Sequence, residues 1–176
     1  MSTLGMLVFS LALSHSAESG SGHDLNSRRQ VGDANLPQES KRESKVPENL
    51  EEALAMKLIS KEDLVAPKDL SEQIKAEKAP VIWNVGSQKN ILGAVKIGEL
   101  QFESSKKLLA EAERQVSKST EIVLYCGCCP LEYCEPMMQA LALLRELGYT
   151  DLKVLNFKEG LKEDWIDLNY PMDPAK

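Results

Sequence analysis

The stretch from Glu121 to Gly148 constrains this chain more than any other. Glu121-Ile122-Val123-Leu124-Tyr125 is a β-branched and aromatic run too short for a helix, which predicts a buried strand. From Pro136 onward, Met137, Leu141, Leu144 and Leu147 recur at helical spacing, and Gly148 suits a left-handed stop. Between them lies Cys126-Gly127-Cys128-Cys129-Pro130-Leu131-Glu132-Tyr133-Cys134, which holds all 4 cysteines of the 176-residue protein. The cysteines are therefore expected on a strand-to-helix loop at the positive end of a helix dipole. Such a position lowers thiol pKa values and attracts anions.

The same alternation extends upstream and downstream. Pro47-Glu48-Asn49-Leu50 opens a helix with a thin stripe of Leu50, Leu54 and Leu58, and Pro67 to Lys78 is a second helix with Leu70 and Ile74 inward. Val81 to Val85 reads as a strand and Gly93 to Ile97 as a brief further one. Ser104 is placed to cap a helix over 105–117, with Leu108, Leu109, Ala112 and Val116 on one face. Leu152 to Leu155 forms a last strand, followed by a short helix carrying Trp165. Alternating strands and helices predict a single three-layer α/β/α domain whose central sheet is mostly parallel and flanked by helices. Ligands of such sheets bind beyond the carboxyl ends of the strands, where Cys126 falls.

The rest of the chain reads differently. Leu4 to Leu13 is apolar and is followed by small residues, so residues 1–17 read as a secretory signal peptide that lacks a basic start and is too short to span a bilayer. This implies an exported protein, periplasmic or secreted; a tail on a cytoplasmic protein is the alternative. Residues 18–46 have no aromatic side chain and read as a disordered linker, leaving 47–176 as the folded domain with an N-terminal accessory helix. A net charge of −6 argues against nucleic acid as a partner. Histidine occurs only at His15 and His23, before the folded part, so no Ser-His-Asp set can be assembled, and no Walker loop or dinucleotide fingerprint is present.

The ordered pieces resemble a rhodanese (sulfurtransferase) domain over roughly residues 58–172. Ile59 to Leu64 is similar to that family's opening segment, Ala79 to Val85 to its first core strand, and Leu92-Gly93-Ala94 to its Pro-Gly-Ala turn. Ile122 to Cys126 resembles the strand that ends in the catalytic cysteine, and Leu147-Gly148-Tyr149, Val154-Leu155, Trp165 and Asn169-Tyr170-Pro171 follow in order. The chain departs from the pattern at Asn84-Val85-Gly86, where the family has Asp-x-Arg, and at Asn90, where it has histidine. The loop is also longer and carries three extra cysteines.

Three uses of the loop follow. In the first, which the resemblance implies, Cys126 is the nucleophile of a sulfurtransferase or persulfide carrier. Loop amides and the helix N-terminus would activate it, since no histidine is at hand. Cys128, Cys129 or Cys134 would then serve as a resolving thiol, and Gly127, Pro130, Leu131 and Tyr133 would line the substrate. No Lys or Arg occurs from Cys126 to Leu144, while Glu132 and Glu135 add negative charge. A persulfide protein or small neutral thiol therefore suits as donor or acceptor better than a dianion. In the second use, Cys126-x-x-Cys129 is a dithiol redox pair, whose members oxidise readily after export. In the third, the four thiols form a soft-metal site for Cu(I) or Zn(II), although adjacent Cys128 and Cys129 fit one ion poorly. A non-catalytic binding module is the remaining alternative. The leading reading requires no cofactor and no metal. Glu51-Glu52, Glu62-Asp63 and Glu163-Asp164 read as solvated faces, Trp83 and Trp165 as packing, and Met137 as a helix contact; Met138 offers either a thioether or packing.

Overall fold

The computed structural model describes residues 45–174. The expected signal peptide at 1–17 and the expected linker up to residue 44 lie outside the described residues; Lys45 and Val46 are exposed. No helix among the described residues is long and apolar enough to cross a membrane.

The elements run α1 (Leu50–Ala55), β1 (Leu64–Val65), α2 (Pro67–Lys75), β2 (Val81–Asn84), β3 (Val95–Lys96), α3 (Glu103–Glu113), β4 (Ile122–Tyr125), α4 (Glu135–Glu146) and β5 (Leu152–Leu155). Short helical turns at Lys61–Asp63, Leu131–Tyr133 and Lys162–Ile166 complete the order. The strands form one sheet in the order β1-β5-β4-β2-β3, and each neighbouring pair is parallel. β4 is therefore central, paired to β2 through Trp83–Leu124 and Asn84–Tyr125 and to β5 through Leu124–Val154.

The pleat of β4 explains the three layers. Ile122 and Leu124 point to one face, where they join Leu109 and Ala112 of α3 and Met137, Leu141 and Leu144 of α4. Val123 and Tyr125 point to the other, among Leu70 and Ile74 of α2, Phe157, Leu161 and Trp165. A strand buried on both faces must be apolar at every position, and this one is. Truncating a core residue such as Leu124 to alanine costs about 2–5 kcal/mol.

Helix ends differ from expectation where side chains compete for the core. α1 starts at Leu50, capped by the Asn49 side chain 2.9 Å from the Glu52 amide, and its one fully buried residue is Ala53. α3 begins at Glu103, with Phe102 in the capping position in place of Ser104. Ser105 is buried against Gly98, where a β-carbon would come within 2.7 Å of the serine Oγ. That contact rotates the helix so that Ser105, Leu109 and Ala112 face inward and Leu108 is exposed. α4 ends as the glycine predicts. Gly148 has φ +88°, its amide donates to Arg145 O at 3.0 Å, and the Tyr149 amide donates to Leu144 O at 3.0 Å.

Candidate active site at the end of the central strand

Cys126 follows β4 directly, and its side chain joins the face that packs on α3 and α4. The β2–β4 ladder continues one step past the strands through Val85 N–H to Tyr125 O at 2.9 Å, which brings Gly86 against the sulfur. A β-carbon at position 86 would lie 2.4 Å from Cys126 O and 2.5 Å from its Sγ, so only glycine fits. The chain then reverses at Gly127, φ +78°, a conformation that glycine adopts at little cost. The loop is tied to the segment after β5 by Leu161 N–H to Gly127 O (3.1 Å) and Leu131 N–H to Phe157 O (2.9 Å). Asp164 holds that segment in turn, accepting from the amides of Lys158, Glu159 and Gly160 at 2.6, 2.7 and 3.1 Å.

The four thiols separate by depth. Cys126 and Cys134 are 2% and 1% exposed, Cys129 is half-buried, and Cys128 is exposed. Cys128 Sγ stands 3.1 Å from Cys126 Sγ, 3.1 Å from Cys129 Sγ and 3.8 Å from Cys134 Sγ. The sulfurs of Cys126, Cys128 and Cys134 all lie within 4.8 Å of one another, a group that could hold a metal ion. Cys134 occupies the capping position of α4; its carbonyl accepts from the amides of Met137 and Met138, both at 3.1 Å. Both methionines are buried in the core.

These contacts sort the protons. Cys126 is lowered from 9.0 to about 6, first by a hydrogen bond from the Cys134 thiol and then by the Cys128 side chain and amide, against the opposing effect of burial. Cys134 is pushed up, first because its proton serves the Cys126 sulfur and then by burial. Cys128 is pushed up first by burial and then by its bonds to Cys129 and Cys126. The three thiols thus shift in opposite senses, Cys126 downward and Cys128 and Cys134 upward. Sequence reasoning assigned the lowering of Cys126 to loop amides and the helix end. Here the leading contribution is a thiol, and a single amide, that of Cys128, assists it.

Of the residues expected to line a substrate, Pro130 and Tyr133 border a cleft of about 330 Å³, shared with Asn49, Leu50, Phe157 and Lys158. Gly127 and Leu131 are buried outside it, and no cysteine opens into it. Tyr133 is 69% exposed.

Lys96 was missed. Its ammonium donates to Gly86 O at 2.6 Å and Gln88 O at 2.7 Å, beside the site. Burial lowers its pKa, and the charge on Cys126 opposes that effect. Lys96 is remote from the cysteine loop along the chain and arrives through the register that pairs it with Asn84 across the sheet. A lysine ending a strand that neighbours β2 was the available signal. The two departures at Asn84 and Asn90 meet each other, with Asn84 Nδ2 donating to Asn90 Oδ1 at 2.9 Å.

No family model and no curated protein matches the chain. Among solved structures, the Alr3790 protein from Anabaena sp. is 22% identical with a TM-score of 0.47, over 62% of this chain and 90% of that one. The solution structure of the rhodanese-like domain of the same Anabaena protein is 21% identical with a TM-score of 0.46, over 65% of this chain and 86% of that one. An EanB variant in complex with hercynine is 21% identical with a TM-score of 0.48, over 62% of this chain but only 27% of that one. The single α/β domain carries a cluster of cysteines at the end of its central strand.

Proposed function

We propose that the protein is a sulfurtransferase-type sulfur carrier in which Cys126 takes up and releases one sulfane sulfur. The supporting observation is the pairing of position with ionisation: Cys126 ends the central strand, and its pKa of about 6 keeps it a thiolate at neutral pH. The Cys126 thiolate attacks the outer sulfur of a donor persulfide, R–S–SH. The donor S–S bond breaks, its thiolate leaves and takes the persulfide proton, and Cys126 holds the sulfur as a persulfide anion. An acceptor thiolate attacks that outer sulfur in turn and regenerates the Cys126 thiolate. The Cys134 and Cys128 thiols, which donate toward the resting thiolate, steady it between turnovers. Glu99 works against the thiolate, and Glu132 lines the neighbouring cleft, so a small thiol or a protein persulfide suits as donor and acceptor better than a dianion.

The experiment is mass spectrometry of the reduced chain before and after glutathione persulfide. One added sulfur, mapped to Cys126, absent in Cys126→Ser and present in Cys134→Ser, is the expected result. Finding the label on Cys129 or Cys134 overturns the assignment.

A dithiol reading draws on the 3.1 Å approaches of Cys128 to Cys126 and of Cys128 to Cys129, neither of which is the Cys126-x-x-Cys129 pair. Oxidation followed by disulfide mapping distinguishes these pairings.

A further inference from the structure

Three sulfurs facing one another, with no histidine nitrogen or carboxylate oxygen of the described residues among them, form a donor set selective for soft ions. We propose that Cys126, Cys128 and Cys134 form a three-coordinate site for Cu(I), with Cys129 outside it. The proposal goes beyond the sulfur-carrier reading and does not rest on it, although both use Cys126 and exclude each other while occupied.

The number of donors decides which ion. Zn(II) in a closed protein site takes four ligands, and among the described residues a fourth is missing: Cys129 does not lie within the 4.8 Å group, and no histidine or carboxylate of these residues does. Mg(II) and Ca(II) require oxygen ligands. Cu(I) is satisfied by thiolates alone.

Distances support the same count. Metal–thiolate bonds of about 2.3 Å in a trigonal plane set their sulfurs roughly 4 Å apart. The Cys128–Cys134 separation is 3.8 Å, which already fits, and the Cys126–Cys128 separation of 3.1 Å needs to open by less than one ångström. Cys128 is the exposed member and follows Gly127, so it is the side chain with room to move. Cys126 and Cys134 are fixed, one by Gly86 and the strand, the other by its place at the start of α4. Two rigid buried ligands and one mobile exposed ligand form a site that an ion can enter from solvent. No electron moves on binding; the ion displaces the remaining thiol protons to water.

The test uses the reduced full chain, free of oxygen, titrated against Cu(I) held by the coloured chelator bicinchoninate. One Cu(I) per chain is expected to leave the chelator, and X-ray absorption is expected to count three sulfurs. Cys129→Ser is expected to match the wild type. Cys128→Ser and Cys134→Ser are expected to weaken binding by more than about a hundredfold, beyond the 10–100-fold that a change outside the ligand set costs. Circular dichroism identifies any variant that fails to fold, and Cys129→Ser then serves as the discriminating variant. The proposal is overturned if the chelator keeps its copper, if four sulfurs are counted, if Cys129→Ser weakens binding as the others do, or if equimolar Zn(II) displaces the copper. Persulfide labelling of the same samples separates the two readings, because sulfur loading requires Cys126 alone and copper requires all three.

Discussion

β2 and β4 are neighbours that end side by side, and the two ends are held together by opposite means. Beyond β2, the buried Asn84 side chain donates to Gln88 O and Asn90 Oδ1, both at 2.9 Å, and accepts from the Gly86 amide at 2.9 Å. Asn90 passes the network on to Ala94 O at 3.1 Å. Beyond β4, the cysteine side chains have chiefly one another. The first corner is closed mainly by neutral amides whose hydrogen bonds are met, with the Lys96 ammonium bonded to Gly86 O and Gln88 O at its edge. The second holds soft, titratable groups whose protons are shared, so it responds to pH, oxidants and metal ions.

Substitutions that join or separate the two corners probe this contrast most strongly. Gly86→Ala places a methyl group 2.4 Å from Cys126 O and 2.5 Å from its sulfur, and is expected to cost about 3 kcal/mol or more in urea denaturation. Removing the polar corner by Asn84→Ala leaves the Gly86 amide unpaired and is expected to cost about 2–3 kcal/mol. Removing the leading support of the thiolate by Cys134→Ala acts on titration first. Thiolate absorbance, with its midpoint at about 6 in the wild type, is expected to shift upward by roughly one to two pH units. Lys96→Met is expected to cost only about 1 kcal/mol, through the lost bonds to Gly86 and Gln88. A loss as large as that of Asn84→Ala would place the ammonium within the polar corner's essential network.

The two corners also differ in linkage. Cys126 ionises in the fold at about 6 against an ordinary 9.0, so between those values the unfolded chain binds a proton that the fold has released. Stability therefore rises with pH across that window and is lost as pH falls through about 6. Cys128 and Cys134 are pushed up, so above their ordinary 9.0 the fold retains protons that the unfolded chain has lost, and stability falls again. Denaturation across this range, with Cys126→Ala as reference, is expected to lose the lower rise.

The sequence was most legible where a pattern is enforced by burial on both sides, as in β4, or by a backbone conformation, as at Gly148. It placed the cysteines on the correct loop. It did not reveal which sulfurs meet, because spacing along the chain does not describe how a loop turns at Gly127 or which thiol lies beneath which. The Cys126-x-x-Cys129 spacing suggested one pair, and the fold brings Cys128 to Cys126. Two-residue strands such as β1 and β3 carry too little periodicity to fix their register, so the route that brings Lys96 to the site was hidden with them. At α3, the buried face includes Ser105 against Gly98, a local polar contact that an apolar pattern does not encode.

Gly86 sets the direction in which the reactive sulfur has room to grow. No side chain fits at position 86 without meeting Cys126, so the β2 side of this sulfur is closed by backbone alone. On the other side the exposed thiol is Cys128, 3.1 Å from the buried sulfur, so the cysteine that meets water first is not the one the strand holds.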